Sequence, residues 1–226
     1  MTNGARSELK NTGYEIFIGL LSVLSIVNLG LVYLLRNNYD LQTVLRVMNA
    51  LFSFIFLIDF AYRLGTAPSR SAYFFRHFGW ADLLASLPFP QAKVLRIFRL
   101  VRVTRLLRVV GVRTVARSLI QDRANSALLT LLLLGILVLE FGSLGILSLE
   151  QRSPEANIRT ASDALWYTIV TISTVGYGDR YPVTNAGRFL GSLIIVIGVG
   201  IFGTFTGYLA NVFLSPGKVT PEKSAS

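Results

Sequence analysis

Six apolar runs divide this 226-residue chain: residues 14–35, 41–64, 74–87, 91–110, 127–149 and 187–214. A helix needs about 20 apolar residues to cross a bilayer core, and most of these runs reach or approach that length. Inside lipid every backbone N–H and C=O must find its partner within the protein, which leaves helices or closed barrels. Runs this long read as helices, so an all-α membrane protein with six transmembrane helices is expected. A seventh stretch, 161–173, is apolar but too short to span. It reads as a re-entrant segment, tolerated only where it is buried in protein or lines water.

Composition fits that solvent. The chain is 52% hydrophobic and 15% charged, where a soluble domain carries about a quarter charged residues. Its net charge is +10, but many arginines lie within apolar segments rather than on a polar face, so no nucleic-acid partner is expected. There is no cysteine, which excludes disulfides and thiolate metal sites. The lone His77 lacks partners for a metal site and reads as an interfacial residue. No catalytic constellation is visible, so neither an enzyme nor a cofactor is expected. Loop charges give an orientation. Arg63, Arg70 and Arg76 lie together without an acid, and Arg113, Arg117 and Arg123 share a loop with Asp122 alone. Both loops are expected in the cytoplasm. The loops at Asp40, 150–163 and Asp179 are expected outside the cell membrane, and both termini in the cytoplasm.

Arg96, Arg99, Arg102, Arg105 and Arg108 recur at every third position of the fourth run, and Lys93 extends the series. On an α-helix that spacing winds slowly around the axis; on a 3₁₀ stretch it forms one row. One arginine at the bilayer centre costs about 2.5–3.5 kcal/mol on insertion scales. Five persist only with partners and a use. Moving one charge through the membrane field is worth about 2.3 kcal/mol per 100 mV, so three charges in each of four chains would supply roughly 28 kcal/mol. The competing reading is a basic helix lying on a membrane surface or on RNA. The spacing does not confine charge to one face, and acids lie inside neighbouring runs, so a field-sensing helix is preferred. Phe56 and Asp59 stand three apart on one helix face. With Asp82 they make a polar site capped by a ring, past which guanidinium groups can step.

Residues 174–179 read Thr-Val-Gly-Tyr-Gly-Asp, directly after the re-entrant stretch. A dehydrated potassium ion needs oxygens to replace its water. The backbone carbonyls of Thr174, Val175, Gly176 and Tyr177, with the Thr174 hydroxyl, supply them if four chains meet on one axis. Aligned carbonyls require alternate residues in left-handed conformation, which glycine adopts at little cost. Gly176 and Gly178 occupy such positions.

On these residues the chain resembles the voltage-gated potassium channels, in a minimal prokaryote-like form, over residues 14–214. The resemblance implies a homotetramer in a lipid bilayer with potassium as the permeant ligand. It implies a cytoplasmic segment 1–13, a four-helix voltage sensor at 14–110 and an amphipathic linker at 111–125. A pore unit at 126–214 follows, with pore helix 162–173 and filter 174–179, then a disordered cytoplasmic tail at 215–226. Phe56 and Asp59 match the family's charge-transfer centre, and Asp82 with Pro88 matches its third segment. Arg96 to Arg108 match its gating charges. Two positions depart from the family pattern: Gly79 stands where an asparagine is common, and Asn49 where an outer acid is common. Trp166 and Tyr167 match an aromatic cuff around the filter, with the Trp166 indole expected to bond Asp179. Gly198 aligns with the family's glycine hinge, although glycine in spanning helices also serves close packing. Phe205, Leu209 and Phe213 are candidate inner-gate residues. Glu140, an acid in the middle of a span, has no counterpart; it reads by default as a functional residue facing protein or a cavity, with a backbone partner or a bound proton as the alternatives. Two rivals remain: a potassium pore with a vestigial ladder, and a membrane protein using its arginines for nucleic acid or lipid. The second leaves residues 174–179 without a role.

Overall fold

The computed structural model describes residues 12–66, 83 and 123–214. Among them every regular element is helical. Helix α1 is Thr12–Leu34, and α2 is Tyr39–Thr66. Between them lies a turn in which the Asn38 side chain accepts the Leu41 N–H at 3.0 Å. That bond satisfies one of the donors a helix start leaves open. Helix α3 (Arg123–Leu137) runs through a π-helical turn (Val138–Gly142) into α4 (Ser143–Glu150). Helix α5 is Ala161–Ile172 and α6 is Asn185–Leu214.

Four helical stretches are long and apolar enough to cross a membrane: Gly13–Leu34, Tyr39–Thr66, Leu128–Glu150 and Asn185–Leu214. They correspond to the first, second, fifth and sixth expected runs. The third and fourth runs (74–87 and 91–110) lie outside the described residues, as do residues 1–11, most of the linker and the tail. Two boundaries move slightly. Helix α3 begins at Arg123, inside the expected linker, and α5 covers 161–172 rather than 162–173 because Ser173 serves as its cap.

Helix α1 packs on α2 and α3, while α2 crosses to α4 and α5. Helix α5 lies between α4 and α6. A single apolar cluster joins the parts: Ile18 and Leu21 of α1, Phe52 and Phe56 of α2, Leu147 of α4 and Ile194 of α6 all belong to it. The first two helices therefore rest directly on the unit that carries residues 174–179. At one end of this bundle Asn38 Nδ2 donates to Gln151 Oε1 at 3.1 Å, which puts the α1–α2 turn beside the end of α4. At the other end Arg63 of α2 pairs with Glu15 of α1 at 2.8 Å.

Candidate functional site

The segment after α5 owes its course to both ends of that helix. At the start, Thr160 and Asp163 form a capping box: the threonine hydroxyl accepts the Asp163 N–H, and the carboxylate accepts the Thr160 N–H. Such a box satisfies two open helix donors at once. At the end, the Val170 carbonyl accepts the N–H groups of Val175 at 3.1 Å and Gly176 at 3.3 Å, which turns the chain back on itself. Beyond that turn the backbone alternates. Thr174, Gly176 and Gly178 have φ of 58°, 59° and 77°, while Val175 and Tyr177 do not share that sign. Gly176 and Gly178 were foreseen in left-handed conformation; Thr174 was not. A β-branched residue there is strained by about 1–3 kcal/mol and persists only where its surroundings over-determine it. The advance signal was the alternation itself, which runs back from Gly178 in steps of two.

Side chains brace this strand. The Trp166 indole N–H donates to Asp179 Oδ2 at 2.8 Å, the bond anticipated from the sequence. The same ring stacks on Tyr177 at 5.7 Å with 4° between planes. Tyr167 is buried, and its hydroxyl lies against the backbone of α6 at Gly191. Glu150, read from sequence only as a loop acid, is fully buried at the end of α4. Its carboxylate accepts Val183 N–H at 2.8 Å, Thr184 N–H at 3.0 Å and the Thr184 hydroxyl at 2.6 Å. It thus ties α4 to the start of α6, across the loop that returns from Asp179. Nothing local betrays this, because the partners lie more than 30 residues away. Asp163 also pairs with Arg180 at 2.9 Å. Partial burial works against its charge, but the N–H groups of Arg159 and Thr160, the Thr160 hydroxyl and the Arg180 guanidinium hold its carboxyl below the usual aspartate range.

A second polar cluster lies at the far end of α1 and α2. Phe56 and Asp59 are both buried on one face of α2. Asp59 Oδ1 accepts the Tyr14 hydroxyl at 2.9 Å and Arg63 Nε at 2.7 Å. Arg63 reaches on to Glu15 and stands 5.9 Å from the Tyr14 ring. Arg63 entered the sequence reading only as a loop cation. Its i, i+4 spacing from Asp59 was the available signal. Asn49, where the family often has an outer acid, is buried with its amide donating to Leu45 O at 2.9 Å. Asp82, Arg96, Arg99, Arg102, Arg105 and Arg108 lie outside the described residues.

Helix α6 continues unbroken through Gly198. A Cβ there would come within 2.8 Å of Ile172 Cα, so the glycine lets α6 touch the end of α5. Glu140 sits in the π-helical turn, fully buried, and neither carboxylate oxygen has a hydrogen-bond partner among the described residues. An unpaired ionised carboxylate is costly in such a place. Of the inner-gate candidates on α6, Phe205 and Phe213 are exposed and Leu209 is half-buried.

Comparison with known proteins followed the same line. The family model for ion transport proteins matches residues 11–215. A voltage-gated potassium channel of Aeropyrum pernix is 33% identical over 91 residues, 40% of this chain and 31% of that protein. The voltage-gated potassium channel regulatory subunit KCNF1 of Rattus norvegicus is 28% identical over 165 residues, 64% of this chain and 33% of that protein. The calcium-gated potassium channel TvoK of Thermoplasma volcanium is 35% identical over 98 residues, 43% of this chain and 28% of that protein. The matches thus span about a third of the length of these curated relatives. They bear out the resemblance to voltage-gated potassium channels drawn from the motifs. With spanning helices, a braced segment at 174–179 and a family match over nearly its whole length, the chain belongs to the ion transport protein family.

Proposed function

We propose that this chain is the subunit of a homotetrameric, voltage-gated, potassium-selective channel of the cell membrane. The observation that carries the reading is the left-handed alternation at Thr174, Gly176 and Gly178. That alternation is what a strand needs to turn successive carbonyls toward one side. Four such strands around an axis would coordinate a bare potassium ion with the carbonyls of Thr174, Val175, Gly176 and Tyr177 and the Thr174 hydroxyl. Trp166, Tyr167 and Asp179 support the strand, and α5 acts as the re-entrant pore helix. One chain provides one wall, and the exposed apolar face of α6 leaves room for copies of itself.

Six membrane crossings then place both termini in the cytoplasm. Residues 14–110 form the sensor and 126–214 the pore, joined by the linker 111–125. Depolarisation moves the helix bearing Arg96, Arg99, Arg102, Arg105 and Arg108 outward past Phe56, Asp59 and Asp82. The linker relays that motion to the inner ends of α6, where Gly198 bends or releases the helix and Phe205, Leu209 or Phe213 close the path. The buried, hydrogen-bonded position of Asp59 beside Phe56 supports the first half of this sequence. Potassium efflux from liposomes holding the purified protein tests the pore: rapid efflux that sodium cannot replace is expected, and equal passage of both ions contradicts it. Neutralising Arg99 and Arg102 tests the sensor. A shallower dependence of current on voltage is expected, whereas an unchanged one would make the ladder vestigial.

A further inference from the structure

One charge at the outer end of the filter strand remains without a role. Arg180 follows Asp179 directly. In a tetramer four guanidinium groups would ring the entrance, and four unpaired positive charges there would repel an approaching cation. The structure does not leave them unpaired. Arg180 Nε lies 2.9 Å from Asp163 Oδ1, on the first turn of α5. Asp163 cannot swing, because its Oδ2 accepts the N–H groups of Arg159 at 3.2 Å and Thr160 at 3.1 Å. Its own N–H donates to the Thr160 hydroxyl at 3.2 Å. The backbone beside Arg180 is tied as well: Tyr181 N–H donates to Asn157 Oδ1 at 3.2 Å, and Asp179 is bonded by Trp166. Helix α5 therefore holds two successive residues of the strand end, Asp179 through Trp166 and Arg180 through Asp163.

We propose that Asp163 is a positioning residue for permeation, holding the Arg180 guanidinium back over α5 and cancelling its charge at the mouth of the pore. This rests on the tetrameric potassium-channel reading. A partly exposed ion pair contributes little to stability. Its effect lies in where it puts a positive charge relative to entering ions.

The experiment is inward single-channel conductance of the full chain in planar bilayers, at low and at high potassium chloride. The variants are Asp163→Asn, Arg180→Gln and the double substitution. Asparagine keeps an oxygen for the Arg159 and Thr160 N–H groups, so the cap of α5 survives. Asp163→Asn should lower inward conductance about two- to fivefold near 0.01 M salt and hardly at all at 1 M, since the screening length falls from about 30 Å to 3 Å. Arg180→Gln alone should conduct at or slightly above the parent level. The double substitution should restore parent conductance, because no cation is left to release. Loss of the cap alone would persist in the double variant, so failure of that rescue overturns the proposal. Parent conductance in Asp163→Asn at low salt overturns it too. Should Asp163→Asn not assemble, Arg180→Lys carries the test. Its single ammonium replaces the two-armed guanidinium, so a smaller, salt-dependent drop is expected and no drop contradicts the proposal. A parent protein that passes no potassium would defeat the channel reading instead.

Discussion

The two ends of the 123–214 unit are held by different means. At the end that carries residues 174–184 the chain satisfies itself. Glu150 grips the start of α6, Asp163 caps α5, Trp166 bonds Asp179 and Asn157 bonds the backbone of Tyr181. These are polar contacts of directional geometry, and those of the buried Glu150 carboxylate leave costly unsatisfied groups if broken. Toward the other end α6 is mostly apolar, and Val199, Phe202, Phe205, Val212 and Phe213 are exposed. Hydrogen bonds give the segment 174–179 one geometry, whereas exposed apolar surface allows several; in the proposed channel these would serve as a fixed filter and a movable gate.

The most severe way to break this contrast is at the strand itself. Gly178 has φ of 77°, where an L side chain is disfavoured by about 1–2 kcal/mol per chain. In the tetrameric reading Gly178→Ala repeats that strain four times, and loss of potassium preference is expected in the reversal potential under mixed potassium and sodium. Parent selectivity in that variant would mean the strand is less constrained than its geometry implies. Next is the grip of α4 on α6. Glu150→Ala removes the acceptor for two N–H groups and one hydroxyl. Each unpaired buried group costs about 1–3 kcal/mol, so a markedly lower unfolding temperature in detergent is expected. Glu150→Gln keeps an acceptor and should recover part of the loss.

A third test compares two glycines of α6. Gly198 lies against Ile172, while Gly200 has open space around it. Gly198→Ala should cost about 1–3 kcal/mol by overpacking. Gly200→Ala should be neutral or slightly stabilising, since alanine is the better helix former. Equal effects, read by thermal unfolding, would remove the packing role of Gly198 and favour its use as a hinge. The smallest effect is expected at Glu140. If the buried carboxyl is neutral, Glu140→Gln replaces one neutral group by another of similar shape, and a change below about 1 kcal/mol is expected. A large loss would show that a charge sits there after all.

Much of this was legible before any coordinates. The four described spans announced themselves by length and hydropathy. The segment 174–179 was legible from its motif, and the Trp166–Asp179 bond was implied by the family resemblance. The Thr174 conformation was hidden because propensity argues against it, and tertiary constraint overrides propensity at this point. The grip of Glu150 was hidden for another reason. An acid at the end of an apolar run looks solvated, and its partners are backbone groups from a distant loop. Arg63 was misjudged in the same way: loop counting treats a cation as a topology marker, although Asp59 stood one helical turn away. The π-helical turn at Val138–Gly142 has no sequence signature that we can name.

The most direct test is a planar-bilayer recording of the purified chain with potassium on one side, sodium on the other, and stepped membrane potential. The account predicts a reversal potential that follows potassium and an open probability that changes steeply with voltage. Currents carried equally by sodium, or indifferent to voltage over the accessible range, would contradict it.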